Sequence, residues 1–172
     1  MRSPQDLARK FKEARRAMAA LDAKLPRIIG TVAVQVVKNN FKLQGYDTGS
    51  GVQKWPARAE VTNRSYDYRS SVKGSVYNSS NPILEQTRNL YNAIRYQITG
   101  KKVRIGVDLT VVPYGEKMND GGSGTWGKYA KTETPARKYM PNDTDGPNLA
   151  FLRPIERKIK FEREKVMKEF KK

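Results

Sequence analysis

The sequence contains no cysteine and no histidine. The first absence excludes disulfides, thiolate nucleophiles and cysteine-ligated zinc. The second excludes histidine general bases, Ser-His-Asp triads and histidine metal ligands. Acidic residues are scarce as well: 17 Asp+Glu stand against 34 Lys+Arg, a formal net charge of +17. No apolar run approaches the roughly 20 residues that span a bilayer. The start, Met1-Arg2-Ser3-Pro4-Gln5-Asp6, leads into charged residues rather than an apolar secretory segment. A cytosolic, unanchored protein is the expectation, and the missing cysteines fit it.

What remains is a polar chain of 172 residues, 37% hydrophobic and 30% charged. That length suits one domain, 1–172, with a real core, and the periodic apolar content is too high for full disorder. The positive charge is concentrated at the ends. Residues 1–44 carry ten Lys+Arg and three Asp+Glu; residues 136–172 carry eleven and six. Such a distribution either draws polyanions to two basic helices or simply solvates their outer faces. Arg9, Arg15, Arg16, Arg157, Lys160 and Arg163 are the candidate polyanion contacts.

Ser3-Pro4-Gln5-Asp6 is a helix start, with serine as cap, proline at the first helical position and aspartate three residues on. Leu7, Phe11, Ala14, Met18, Leu21 and Leu25 then recur at steps of four and three, one apolar stripe on a helix. Pro26 predicts a kink or the beginning of a second helix. From Ile28 to Phe41 apolar residues cover most of the circumference. The run is β-branched, but its length favours a buried helix, hidden by its own sheet or by a neighbouring subunit. Gly45 is the expected stop, giving helices over 4–44.

A long loop is expected over 45–82, anchored by Trp55-Pro56, with Tyr66, Tyr68, Val72, Val76 and Tyr77 able to form a short hairpin at Lys73-Gly74. Its tyrosines and arginines could stack on bases or pin an extended arm onto a neighbour. The clearest β signal follows in a sheet over about 92–114. Ile94, Tyr96 and Ile98 alternate with polar residues, as do Val103, Ile105 and Val107, around a Gly100-Lys101 type II′ turn. Leu109 to Tyr114 supplies an expected third strand. A second loop spans 115–147, and a C-terminal helix about 149–170 carries Leu152, Ile155, Ile159, Val166 and Phe170. Pro154 would also allow a start nearer Arg153. The fold class is α+β: a small antiparallel sheet packed with long N- and C-terminal helices, and two long loops.

No catalytic, cofactor-binding or metal residue emerges. Gly121-Gly122-Ser123-Gly124 lacks the lysine and strand-to-helix setting of a phosphate loop. Asp143 and Asp145 resemble the start of a calcium loop, but its twelfth position is Pro154 rather than glutamate. Asp108, Glu116 and Lys117 match no nuclease template and read as strand-end caps.

Four stretches carry a family resemblance. The first is a helix running to Asn40-Phe41, followed by Trp55-Pro56. The second is Pro82-Ile83-Leu84-Glu85-Gln86-Thr87-Arg88-Asn89-Leu90-Tyr91-Asn92-Ala93-Ile94. The third is Val103-Arg104-Ile105-Gly106-Val107 with Val112-Pro113-Tyr114-Gly115 and Asn119-Asp120-Gly121-Gly122. The fourth is Thr134-Pro135-Ala136-Arg137-Lys138-Tyr139-Met140 before an amphipathic helix. Their order resembles the bacteriophage virion morphogenesis and tail completion family, the Mu-like G protein group and its head–tail joining relatives. Arg88 stands where that family has glycine after threonine, Gly115 where it has alanine, and Lys138-Tyr139 where it has Pro-Phe.

The resemblance implies a non-enzymatic structural protein at the neck or tail end of a virion, assembled in the bacterial cytoplasm. It implies sixfold or twelvefold rings of this chain, with portal, adaptor or tail-tube proteins as neighbours. Packaged DNA is a further contact it suggests, and a membrane is not. On this reading Trp55, Tyr66, Tyr68, Tyr77, Trp126 and Tyr139, from the two loops, and Tyr114, at the end of the expected third strand, are subunit or partner contacts. The alternative is a basic nucleic-acid-binding protein acting through its terminal helices.

Overall fold

The computed structural model describes residues 3–57, 83–84, 88–126, 130–142 and 144–170. The architecture is α+β, with long terminal helices enclosing short antiparallel hairpins. Helix α1, Pro4–Leu43, is a single helix of 40 residues. It begins as expected: the Ser3 hydroxyl oxygen accepts from the Asp6 amide at 3.1 Å and Pro4 occupies the first turn. Pro26 neither starts a second helix nor ends the first. The stop falls at Gln44 rather than Gly45. Gln44 takes the left-handed conformation at φ 50°, and its side-chain amide donates to the Phe41 carbonyl at 2.6 Å and accepts from the Ile83 amide at 2.5 Å. Gly45 serves a different need, since a Cβ there would lie 2.5 Å from the Gln53 carbonyl oxygen.

That close approach belongs to a hairpin where a loop was expected. Strands β1, Gly45–Asp47, and β2, Val52–Lys54, pair antiparallel. Their turn is held by the Gly49 amide donating to the Asp47 carboxylate at 2.9 Å. Helix α2, Asn89–Ala93, then runs directly into β3, Ile94–Thr99, which pairs with β4, Lys102–Val107. The register is the one the alternation predicts: Ile94 opposite Val107, Tyr96 opposite Ile105, Ile98 opposite Val103. Gly100 supplies the positive φ of 61° the turn requires.

The expected third strand does not form. Asp108 closes a turn instead, its carbonyl accepting from the amides of Val111 and Val112 and its carboxylate from Thr110. Pro113 has no amide to offer a ladder. The chain continues into α3, Gly115–Asp120, and a third hairpin of β5, Gly122–Trp126, and β6, Ala130–Thr134. The region expected as a loop over 115–147 is therefore a helix and a hairpin followed by an extended strap. Helix α4, Leu149–Phe170, starts at the earlier of the two expected places. Asn148 caps it, accepting from the Phe151 amide at 2.9 Å.

Asn148 also ties the two long helices together, donating to the Asp47 carbonyl at 2.8 Å. That places the start of α4 at the C-terminal end of α1, and α4 packs back along it. The all-round apolar part of α1 is thus covered within the chain, by α4 on one side and by β3 and β4 on another. Packing against the sheet is close. A Cβ on Gly30 would stand 2.4 Å from the Tyr96 ring. Phe41 is the hub of the core, edge-on to Trp55 (centroids 5.4 Å apart) and Tyr91 (5.7 Å) and tilted against Tyr139 (5.3 Å).

Candidate functional site

Trp55 and Tyr139, expected at subunit contacts, are core side chains. Trp55 is buried beside Phe41, and its indole donates to the Lys138 carbonyl at 2.7 Å. Tyr139 is fully buried, and its hydroxyl donates to the Gly115 carbonyl at 2.8 Å. An aromatic ring whose polar tip is satisfied inside its own chain has nothing left to offer a partner. Tyr114 is half-buried and packed against the same core. Trp126 lies opposite Ala130 at the end of β5. Tyr66, Tyr68 and Tyr77, the hairpin expected at Lys73-Gly74, and Asp143 lie outside the described residues.

Two buried asparagines, named above only within the resembling stretches, position the strap 137–140. Asn119 on α3 accepts from the amides of Tyr139 (2.9 Å) and Met140 (3.1 Å). Asn40 on α1 donates to the Tyr139 carbonyl at 2.9 Å and accepts from the Asp47 amide at 3.2 Å. The signal available was weak: a poor helix former, Asn40, set in a helix of apolar residues, where only a bonding role repays burial. Burial raises the Tyr139 phenol well above its ordinary range, with Asp120 and Glu116 adding to the effect. Tyr139 therefore stays a protonated donor and is no nucleophile.

Beside the strap lies a cleft of about 330 Å³ lined by Tyr46, Trp55, Asn119, Asp120, Lys138 and Asp145 among others. Its carboxylates are already engaged, Asp145 with Lys138 and Asp120 with Asn119 at 2.9 Å. Among the described residues no group of three His, Cys, Asp or Glu side chains could hold a metal ion. Asp108 is a turn cap, as its position suggested; the Thr110 hydroxyl chiefly, and Arg95 at 3.6 Å, hold its carboxyl below the usual range.

The six basic candidates all lie on the outer faces of the two long helices. Arg9 is engaged by Asp6 at 3.6 Å and Glu13 at 4.0 Å, and Lys160 by Glu164 at 4.0 Å. Arg15, Arg16, Arg157 and Arg163 are exposed, with no carboxylate in ion-pair range among the described residues. The structure does not bring the two sets together. With α4 running back along α1, Arg163 is level with a point roughly 20 Å further along α1 than Arg16, at about 1.5 Å per residue. They form two separate basic patches.

No helix among the described residues is long and apolar enough to cross a membrane. No protein-family model, curated protein or solved structure matches the chain.

Proposed function

We propose that this chain is a structural protein of a bacteriophage particle that acts in head–tail joining or tail completion, as a ring at the neck or tail end of the virion. One observation carries the reading. Each of the four resembling stretches contributes residues to the one core. Phe41 and Trp55 come from the first stretch, Leu90 and Ile94 from the second, Val112 from the third and Tyr139, which stands where the family has phenylalanine, from the fourth, and all are buried. Short motifs far apart in sequence thus contribute to one packing arrangement, which supports reading them together.

The test is quantitative mass spectrometry of purified, nuclease-treated particles from the source phage or prophage. A small fixed number of copies per particle is the expected result. Absence from particles that retain their other tail proteins would overturn the reading.

A second reading rests on a separate observation, the exposed guanidinium groups of Arg15, Arg16, Arg157 and Arg163, which meet no carboxylate among the described residues. It makes the chain a nucleic-acid-binding protein using its terminal helices. It requires affinity that falls steeply with salt, with a slope set by the phosphates neutralised. Nanomolar binding at physiological salt would favour it over the structural role.

A further inference from the structure

Helix α1 outruns every described element that packs on it. α4 has 22 residues, so at about 1.5 Å per residue it reaches back along α1 from Leu43 to about the level of Leu21. Leu21 is the first buried residue of α1, and none precedes it from Pro4 to Ala20. The apolar stripe does not stop there. Leu7, Phe11, Ala14 and Met18 continue the four–three spacing of Leu21, Leu25, Ile28 and Val32 with no break. Yet Leu7 is 51% and Phe11 68% exposed. The arm is therefore an extension of the same seam that the body covers, without a second helix on it among the described residues.

The form of the seam selects a helical occupant. Its residues follow the a/d spacing of a coiled coil, a narrow stripe with small Ala8, Ala14 and Ala17 on or beside it. A strict a/d stripe is the narrow seam of a coiled coil, whereas a helix packed on a core carries a wider apolar face. Charge then selects the sequence of the occupant. The charged side chains beside the seam are Lys10 and Arg15, neither paired with a carboxylate among the described residues. The arm's own carboxylates, Asp6 and Glu13, sit off the seam, both within ion-pair range of Arg9. Two copies of the arm laid in parallel would set Lys10 against Arg15. Laid antiparallel, they would match Lys10 and Arg15 only with like charges or with alanine. A second copy is disfavoured in either direction.

We infer that the arm Pro4–Ala20 is a docking site for an amphipathic helix of another protein, one with an apolar a/d seam flanked by Asp or Glu. This surface does not depend on any role in a virion.

The experiment uses the full chain and two synthetic helical peptides with one leucine seam, flanked in one by glutamate and in the other by lysine. Fluorescence anisotropy is expected to show the glutamate peptide binding at least about tenfold tighter. Phe11→Gln should abolish that preference without moving the thermal midpoint, since the side chain is exposed. The double variant Lys10→Glu/Arg15→Glu should reverse it. Equal binding of the two peptides overturns the inference. So does binding to anionic phosphatidylserine vesicles but to neither peptide. A dimer of the chain alone, detected by sedimentation and lost in Phe11→Gln, overturns it too, because the occupant would then be a second copy.

Discussion

The two parts of α1 share one helix and one apolar stripe but sit in opposite surroundings. From Leu21 to Phe41 the stripe is packed between α4 and the β3–β4 hairpin; from Pro4 to Ala20 no residue of it is buried, with Ala14 and Met18 half-buried and Leu7 and Phe11 exposed. The difference shows that helical periodicity reports a face to be covered but not what covers it. In the body, burial of that face contributes to folding. In the arm the helix rests on its cap, the pairs of Arg9 with Asp6 (i,i+3) and Glu13 (i,i+4), and its continuity with the buried half.

The sharpest way to break the comparison is to truncate one phenylalanine in each half. Phe41→Ala should cost about 3–5 kcal/mol in urea unfolding, because Phe41 is fully buried among three aromatic rings. Phe11→Ala should stay within about 0.5 kcal/mol of the wild type. Comparable losses would mean that the arm is packed in the free protein. Next in size is Gly30→Ala. Helix propensity alone favours alanine by about 1 kcal/mol, but the new methyl meets the Tyr96 ring. A net loss of about 1–3 kcal/mol is expected, and it should vanish when the same change is made in a Tyr96→Ala background.

An effect of similar size separates burial from bonding in the core. Tyr139→Phe removes the hydrogen bond to the Gly115 carbonyl and should cost about 1–3 kcal/mol at neutral pH. Its pH dependence has a definite sign. Burial raises the folded-state phenol, so its contribution is complete below the unfolded value of about 10 and is lost as pH climbs beyond it. The wild type should therefore lose stability in alkali more steeply than Tyr139→Phe. Part of the slope remains from Tyr46, raised by burial and then by Asp145 and Asp47. The smallest effect belongs to the arm. Ser3→Ala removes the cap and should speed amide exchange in the first turns of α1, a local loss of about 1 kcal/mol, while leaving the global unfolding midpoint in place.

The parts legible in the sequence are those built from neighbours. The cap at Ser3 and the hairpin at Gly100 each involve residues a few positions apart, and both have the predicted form. The β1–β2 hairpin was missed because its strands have three residues each, too short for alternation to register. The strap was missed for another reason. The Asn40 contact with Tyr139 spans 99 positions and the Trp55 contact with Lys138 spans 83. Nothing local marks an extended segment as buried when its partners lie that far away. The same distance explains why Trp55 and Tyr139 read as surface aromatics. Only packing shows that their polar tips are satisfied inside the chain.

By itself, the sequence determined the α+β class, the positions of the two long helices, the β3–β4 register and a surplus of positive charge at both ends. These follow from period, capping and composition, which are properties of short windows. The tertiary structure decided which apolar faces are covered, which aromatics are core, and that the two basic sets lie apart along the helices. It also decided that α4 is too short to cover α1. That depends on relative lengths and on where Asn148 anchors one helix to the end of the other, a geometric fact that no window of sequence contains.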